Sequence, residues 1–259
     1  MKTILITGAT SGIGKALARQ FVDAGYSLIL HGRDQKKLDD VMLEIREKNI
    51  SSTIISDLSK PEGSQIIIDA IKKNNIVVDI LINNAGFGLY GEFIETNFKK
   101  EEEMIAVNVT SLVHLSKYFL QEMKKNKSGH IINIASVAAF EPGPYMSVYF
   151  ATKAFVLHFT EAIAAEAKNY GVTIQAICPG AVNTGFQKTS KTDRLKIMEK
   201  KSAALPEDLA TFIFKNLDSK KVVLVFGFKN KLMTLLPRIF PRKLVRGVMR
   251  KVMGEGLES

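Results

Sequence analysis

A tyrosine and a lysine one helical turn apart are the residues of this sequence best suited to proton transfer. Tyr149 and Lys153 open a long predicted helix, and a spacing of four residues places them on one face of it. The pKa of free tyrosine is about 10, too high for efficient proton transfer near neutrality. We predict that the Lys153 ammonium lowers the pKa of Tyr149, so that the pair can serve an oxygen that gains negative charge. Ser136, which follows a predicted strand, would stabilise the same oxygen.

A glycine-rich turn lies between the first predicted strand and the first predicted helix. The segment Thr7–Gly14 reads TGATSGIG, a Gly-x-x-x-Gly-x-Gly spacing. Backbone N–H groups of such a turn, together with the helix dipole, favour a pyrophosphate. A purely structural turn is the alternative. We predict a dinucleotide-binding turn whose contacts come from Gly8, Thr10, Ser11, Gly12, Ile13 and Gly14.

The end of the second predicted strand indicates which dinucleotide binds. A carboxylate there suits the ribose of NAD, whereas an arginine suits the 2′-phosphate of NADP. The chain has Gly32 at the carboxylate position and Arg33 next to it, so NADP(H) is favoured and NAD(H) is the lesser candidate. Arg33 as a solvated surface residue is the alternative. Asp34 is a second candidate ribose ligand, although it better suits a helix cap.

Three segments in this order resemble the short-chain dehydrogenase/reductase family. Asn83-Asn84-Ala85-Gly86 ends the fourth predicted strand, Ser136 follows the fifth, and Tyr149-x-x-x-Lys153 opens the next helix. The resemblance covers residues 1 to about 217. It implies hydride transfer between a nicotinamide dinucleotide and a carbonyl or alcohol, with a catalytic set of Asn108, Ser136, Tyr149 and Lys153.

The same resemblance implies the roles of further residues. Asn108 would hold a water in a proton relay through Lys153, which would also hold the nicotinamide ribose. Asp57 would contact the adenine, and Asn84 would support the central sheet. The remaining cofactor-binding residues implied by the family pattern are Leu58, Ala85, Gly86, Pro179, Gly180 and Thr184, the last three cradling the nicotinamide amide.

Short apolar runs alternate with helical patterns along the chain. This predicts an α/β fold, a doubly wound parallel sheet of the Rossmann type with about seven strands, followed by a C-terminal helical extension. The predicted strands are Thr3–Thr7, Ser27–His31, Ser52–Ser56, Asp79–Asn83, His130–Ile134, Thr173–Ile177 and Val222–Phe226. The predicted helices are Ile13–Asp23, Gln35–Lys48, Glu62–Lys73, Phe98–Lys124, Val148–Asn169 and Pro206–Leu217.

Composition and charge narrow the class of protein. A single cysteine, Cys178, suits a reducing compartment, and no apolar run is long enough for a bilayer. With the first predicted strand beginning at Thr3, we expect no signal peptide and a cytoplasmic protein. The net charge of +10 comes mostly from eight basic residues near the C-terminus, so we predict no nucleic-acid partner, and we predict no metal site.

The basic C-terminal segment is predicted to be a separate extension. We assign residues 1–226 to the catalytic domain and 227–259 to an amphipathic extension that packs on the domain or on a dimer mate. The alternative is peripheral contact of residues 229–253 with anionic membrane. The extension replaces the family's tetramer-forming end, and the family implies a homodimer through the two longest helices. With residues 135–145, it resembles a ketoacyl reductase-like subgroup.

The residues expected near the substrate are mostly apolar, which predicts a medium-sized hydrophobic ketone, aldehyde or acyl group. They are Phe87, Tyr90, Ala138, Phe140, Tyr145, Met146 and Phe186. The polar segment Lys188–Lys201 is predicted to be a loop that closes over the substrate. Two alternatives to a carbonyl reductase are an NAD-linked alcohol dehydrogenase and a nucleotide-sensing or membrane-associated binding module.

Overall fold

The computed structural model describes residues 1–45, 49–190, 192 and 203–254. Within them, seven parallel strands form one sheet in the order β3-β2-β1-β4-β5-β6-β7. The strands are β1 (Thr3–Ile6), β2 (Ser27–Gly32), β3 (Ile50–Ile55), β4 (Ile80–Asn83), β5 (Gly129–Ile134), β6 (Val172–Cys178) and β7 (Val223–Val225). The predicted Rossmann-type α/β fold is confirmed.

Helices lie on both faces of this sheet, and two more follow it at the C-terminal end. They are α1 (Gly12–Asp23), α2 (Gln35–Glu44), α3 (Gly63–Lys73), α4 (Phe98–Ile105), α5 (Ser111–Asn126), α6 (Ser147–Glu166), α7 (Phe186–Ser190), α8 (Pro206–Lys215), α9 (Phe228–Ile239) and α10 (Arg242–Gly254). Alternate residues of β1 bury against opposite layers, because strand side chains alternate. Ile4 belongs to the same apolar cluster as Leu17 of α1, whereas Leu5 belongs to the cluster that contains Phe119 of α5.

The long helix predicted over Phe98–Lys124 has an irregular turn in the middle. A π-helical turn at Ala106–Thr110 separates α4 from α5. Periodicity could not show this, since a π turn keeps the helical direction while adding one residue. Residues 46–48 of the predicted helix Gln35–Lys48, and most of the predicted substrate loop Lys188–Lys201, lie outside the described residues.

The strand order reverses direction at the centre of the sheet. From β1 the chain moves outward to β2 and β3, and it then returns to place β4 on the other side of β1. The carboxyl ends of β1 and β4 therefore border a crevice between diverging connections, the usual ligand position in such sheets. Gly8 and Asn84 follow those two strand ends.

The chain ends in two helices, α9 and α10, that follow the edge strand β7. Met249 and Met253 of α10 are buried against a cluster that contains Tyr90 and Tyr149. Among the described helices, none combines the length and apolar character that crossing a bilayer requires.

Candidate active site

The turn after β1 approaches its neighbours so closely that side chains are excluded. Gly8 and Gly12 have φ values of +65° and +50°, in the left-handed region that favours glycine. A Cβ at Gly14 would lie 2.2 Å from the Gly8 carbonyl oxygen, and one at Gly12 would lie 2.8 Å from Cγ2 of Thr184. The glycines therefore keep the backbone accessible between β1 and the start of α1.

The first turn of α1 presents backbone donors. Ser11, the N-cap, makes no side-chain capping hydrogen bond, so within the described structure the first N–H groups of α1 have no side-chain acceptor. Ser11 is exposed, and Thr10, Gly12 and Ile13 are half-buried. Unpartnered helix N–H groups beside a glycine cradle fit the pyrophosphate of a dinucleotide.

Asn84 ties the glycine-rich turn to the end of β4. Its side-chain amide donates to the carbonyl oxygens of Thr7 and Gly8, at 2.9 and 3.1 Å. Thr7 Oγ1 in turn accepts from the backbone N–H groups of Asn84 and Ala85, at 3.0 and 3.1 Å. Asn84 thus holds the turn itself to the neighbouring strand.

His31, at the end of β2, is hydrogen-bonded to the same turn, a role that the sequence did not predict. Gly8 N–H donates to His31 Nδ1 at 3.4 Å, and Nε2 lies 3.1 Å from both the carbonyl oxygen and Oγ of Ser56. Since Nδ1 accepts, Nε2 carries the proton and donates towards Ser56. Burial lowers the pKa of His31 to about 4, against the opposing effects of the Ser56 carbonyl and Asp57.

The end of β2, where the sequence predicts the adenine-side ribose, has no carboxylate at position 32 and an arginine next to it. A Cβ at Gly32 would lie 2.5 Å from Cγ2 of Thr10, so a larger side chain there would collide with the turn. Asp34 is used as the cap of α2, where its carboxylate accepts from Lys37 N–H at 3.2 Å. Arg33 is exposed at this point.

Asp57 and Leu58 follow β3, close to Arg33. Burial raises the pKa of Asp57, but hydrogen bonds from Ser59 and the positive charges of Arg33 and Lys60 leave it below its ordinary value. Ser59 N–H donates to the Asp57 carboxylate at 2.9 Å, and Leu58 is buried. Asp57 is therefore an ionised hydrogen-bond acceptor beside the Arg33 guanidinium.

Ser136, Tyr149 and Lys153 are buried together between β5 and α6. The Tyr149 hydroxyl lies near that of Ser136, whose Oγ accepts from Ala138 N–H at 3.1 Å. Lys153 Nζ donates to the Ile134 carbonyl oxygen at 2.8 Å and lies 5.9 Å from the centroid of the Tyr149 ring. The helix spacing and the strand end thus bring together the three side chains that the sequence singled out.

The prediction that the pKa of Tyr149 is lowered is wrong in its net direction. Burial raises the pKa of Tyr149 to about 12, and the neighbouring Ser136 hydroxyl offsets only part of this. Burial also lowers the pKa of Lys153 to about 8. The prediction considered the ammonium charge alone, whereas removing both groups from water disfavours both charged forms.

Asn108 lies in the π-helical turn and clamps a neighbouring peptide group. Its amide donates to the Phe87 carbonyl oxygen and to Thr152 Oγ1, each at 3.0 Å, and its Oδ1 accepts from Phe87 N–H at 3.1 Å. A Cβ at Gly86 would lie 3.0 Å from Asn108 Oδ1 and 3.6 Å from Lys153 Nζ. Asn108 and the Lys153 ammonium therefore both lie next to Gly86. The water relay implied by the family resemblance remains a prediction.

The segment after β6 faces the glycine-rich turn. The Thr184 side chain lies directly beside Gly12, and its Oγ1 accepts from Phe186 N–H at 3.1 Å. Pro179 accepts from Val137 N–H at 2.9 Å, and a Cβ at Gly180 would lie 2.6 Å from Asn230 of α9. The residues implied for the nicotinamide end therefore lie beside both the turn and the C-terminal helices.

An apolar cluster surrounds the Tyr149 ring. Phe186 packs on it with ring centroids 5.3 Å apart, and Tyr90 Oη donates to the Met253 carbonyl oxygen at 2.6 Å. The predicted pocket residue Phe140 packs elsewhere, against Ala139 and Val156, so this expectation is corrected. The other described members of the cluster include Phe87, Ala138, Tyr145, Met146, Phe150, Met249 and Met253.

Comparisons with known proteins identify the family to which the chain belongs. A family model described as short chain dehydrogenase matches residues 2–195. The dehydrogenase/reductase SDR family member 7B of Xenopus laevis is 32% identical over 251 residues, covering 92% of this chain and 78% of that protein.

Solved structures share the fold over nearly the whole chain. A short-chain dehydrogenase from Sphingobium yanoikuyae in complex with NADPH has a TM-score of 0.80 at 27% identity, covering 98% of this chain and 96% of that one. A 7beta-hydroxysteroid dehydrogenase has a TM-score of 0.84 at 25% identity, covering 96% of both chains. The chain therefore belongs to the short-chain dehydrogenase family of oxidoreductases.

Proposed function

We propose that this oxidoreductase uses NADP(H) to reduce a ketone or aldehyde on a medium-sized hydrophobic substrate, or to oxidise the corresponding alcohol. The observation that carries the proposal is the buried grouping of Ser136, Tyr149 and Lys153, enclosed by an apolar cluster. Such a site suits a polar reacting atom on an otherwise apolar molecule.

The preference for NADP(H) is supported by the end of β2. Gly32 leaves no carboxylate for a ribose 2′-hydroxyl, Asp34 caps α2, and the exposed Arg33 offers a cation for a 2′-phosphate. The Sphingobium yanoikuyae relative, whose structure contains NADPH, has the same fold.

In the reductive direction, Tyr149 is the general acid. A bound nicotinamide dinucleotide would supply the hydride. Because burial raises the pKa of Tyr149 to about 12, its hydroxyl carries a proton at neutral pH and can transfer it to the substrate oxygen. Lys153, with a pKa lowered by burial to about 8, is mainly an ammonium at pH 7 and stabilises the tyrosinate that proton transfer leaves. Ser136 orients the Tyr149 hydroxyl and the substrate oxygen.

The substrate class follows from the surroundings of Tyr149. Met146, Phe150 and Phe186 contact its ring or lie in the same cluster, and Met249 and Met253 add flexible thioether side chains. Methionine adapts to irregular apolar shapes, so this wall suits a bulky hydrophobic carbonyl compound. A ketoacyl group is one member of that class. The 7beta-hydroxysteroid dehydrogenase of similar fold is, by its name, a relative with a bulky apolar substrate.

Titration with NADPH and NADH, followed by nicotinamide fluorescence, tests the cofactor. We expect tighter binding of NADPH, and we expect Arg33→Ala to raise the KM for NADPH about tenfold, the loss of one charge-assisted contact worth about 1.4 kcal/mol. The KM for NADH should change less than twofold. The exposed Arg246→Ala is the matched control. Equal effects of Arg33→Ala on both dinucleotides would contradict the assignment and favour an NAD-linked alcohol dehydrogenase.

Turnover of a panel of hydrophobic ketones and aldehydes tests the reaction. We expect Tyr149→Phe to lower kcat by about 10²- to 10⁴-fold, because the general acid is removed while the ring remains. Its Kd for NADPH should match that of the wild type. Unchanged turnover would refute the role of Tyr149. Dinucleotide binding without turnover of any carbonyl or alcohol would favour the nucleotide-sensing alternative.

Assembly and location are part of the proposal. Phe155 and Phe159 stack on α6 with centroids 5.8 Å apart, and Phe155 is exposed, which supports a homodimer through α5 and α6.

We retain the cytoplasm as the proposed compartment, because the single cysteine is buried and unpaired.

A further inference from the structure

The two C-terminal helices expose an unusual amount of apolar surface. Among the described residues, nine of the twenty exposed large hydrophobic side chains lie between Phe228 and Val248. They are Phe228, Leu232, Met233, Leu235, Leu236, Ile239, Phe240, Leu244 and Val248. Clustered exposed apolar side chains of this kind mark an interaction surface rather than ordinary scatter.

Helix α10 has one face against the protein and a second apolar stripe that faces outward. Met249 and Met253 are buried and Val245 packs beside them, whereas Leu244 and Val248 are about half exposed. The outward stripe borders a shallow groove that also includes Pro241, Lys243, Gly247, Lys251 and Val252. Packing on the protein therefore covers only part of the apolar surface of α10.

Helix α9 is still less covered. Thr234 is its buried residue, while Phe228 is 84% exposed and Ile239 is 74% exposed. Asn230 anchors the start of the helix through the Phe226 carbonyl oxygen, at 2.7 Å. The helix is thus attached at its beginning and presents apolar side chains along its length.

The charged side chains of α9 and α10 are all of one sign. From Lys229 to Met253 the sequence contains eight basic residues and no acidic residue. All eight are exposed. They are Lys229, Lys231, Arg238, Arg242, Lys243, Arg246, Arg250 and Lys251.

We propose that the exposed face of α9 and α10 binds the surface of an anionic lipid bilayer. Basic and apolar side chains on one pair of amphipathic helices insert into the interface and attract anionic headgroups. A second copy of this chain fits the surface less well. Apposed C-terminal helices would bring eight positive charges against eight, with no acidic residue within Lys229–Met253 to compensate.

This surface lies next to the catalytic residues. The carboxyl end of α10 is held by the hydrogen bond from Tyr90 to Met253, and Met249 belongs to the cluster around Tyr149. Bilayer binding would therefore bring the apolar side of the active site towards the membrane. The binding itself does not depend on which carbonyl compound is reduced.

Flotation of the full-length protein with vesicles tests the proposal. We expect binding to phosphatidylcholine vesicles that contain 30% phosphatidylglycerol, and much weaker binding to phosphatidylcholine alone. The variant Arg242→Gln/Arg246→Gln/Arg250→Gln should bind the anionic vesicles at least about tenfold more weakly, because it lacks three positive charges that attract anionic headgroups. The variant Phe228→Ser/Ile239→Ser, at two highly exposed positions, should also bind more weakly.

A charge-matched control distinguishes binding through α9 and α10 from an effect of the net charge of the whole protein. Lys99→Gln/Lys168→Gln/Lys220→Gln removes the same number of charges at exposed positions elsewhere and should bind like the wild type. Equal loss in this control, or equal binding to both vesicle types, would overturn the proposal. The proposal would also be overturned if Phe228→Ser/Ile239→Ser no longer formed dimers but still bound vesicles. The exposed face of α9 and α10 would then bind a second copy of the chain. Circular dichroism and NADPH fluorescence confirm that each variant is folded.

Discussion

The glycine-rich turn and the C-terminal helices differ in how closely they pack against the rest of the protein. At the turn, a Cβ on Gly14 would meet backbone and side-chain atoms at 2.2 to 2.9 Å. In α10, a Cβ on Gly247 would meet nothing within 4 Å. Close packing fixes the turn in a single shape, whereas the outer face of α10 has no neighbour in the described structure to constrain it.

The difference indicates what each region recognises. A dinucleotide is bound by backbone groups at fixed positions, so the turn must be rigid before the ligand arrives. A bilayer surface has no fixed shape, and an amphipathic helix needs only apolar and basic side chains on suitable faces. Rigidity in one region and tolerance in the other are therefore both expected from function.

The same substitution in the two regions should have opposite effects. Gly14→Ala places a Cβ against the Gly8 carbonyl oxygen, so the backbone of the turn must move, at a cost of about 3 kcal/mol in the free energy of unfolding. Gly247→Ala should stabilise the protein by about 0.5–1 kcal/mol, because alanine is the better helix former. Urea unfolding of both variants measures this. Equal effects would show that the turn is no more constrained than α10.

Dinucleotide binding sharpens the same comparison. Gly14→Ala should weaken NADPH binding by more than tenfold, since the displaced turn no longer presents its N–H groups. Gly247→Ala should leave the Kd unchanged. Wild-type affinity in Gly14→Ala would contradict the assigned role of the turn.

Acid should destabilise the protein through its buried histidines. The folded pKa of His31 is about 4 and the unfolded value about 6.5, so the unfolded chain binds the proton first. Stability is therefore complete above pH 6.5 and is lost as the pH falls towards 4. Between pH 7.5 and pH 5 we expect a loss of about 2 kcal/mol from His31. His130, with burial also lowering its pKa to about 4, should add a similar loss.

A histidine variant isolates the contribution of the turn. Urea unfolding of His31→Gln should show about half of the wild-type pH dependence, because one of the two groups has been removed. His158→Gln, at an exposed position on α6, should keep the full dependence. An unchanged slope in His31→Gln would mean that His31 titrates normally and does not hold Gly8 as a neutral acceptor.

Sequence patterns predicted the sheet and the grouping of Ser136, Tyr149 and Lys153 because both depend on local regularities. The apolar runs of the strands, the glycine spacing and the Tyr149–Lys153 spacing each report a local constraint. The predicted strand Ser52–Ser56 begins two residues later than β3, since Asn49 adopts a positive φ just before the strand. Boundaries of this kind depend on the turn that precedes them.

The contacts that the sequence did not reveal join residues far apart in the chain. His31 was interpreted only as part of an apolar strand, although its ring bonds Gly8 and Ser56. The pair Tyr90 and Met253 is separated by 163 positions. Periodicity indicates that a residue is buried but not which partner it meets, so such links required the structure.

The hydrogen bond from Tyr90 to Met253 joins α10 to the apolar cluster around Tyr149, and its removal should have the smallest effect. Tyr90→Phe deletes the hydroxyl but keeps the ring, so the free energy of unfolding should fall by about 1 kcal/mol. Because the Met253 end of α10 borders the apolar cluster, the KM for a hydrophobic carbonyl substrate should rise, while the Kd for NADPH stays unchanged.

Tyr26→Phe is the matched control, since the Tyr26 ring packs on Phe21 and Phe214 and a phenylalanine preserves that contact. It should leave both constants at the wild-type values. If Tyr90→Phe weakened NADPH binding as strongly as it raised the substrate KM, the C-terminal helix would be coupled to the glycine-rich turn. The two regions would then behave as one rigid unit, and the contrast between a fixed cofactor site and a tolerant C-terminal surface would be wrong.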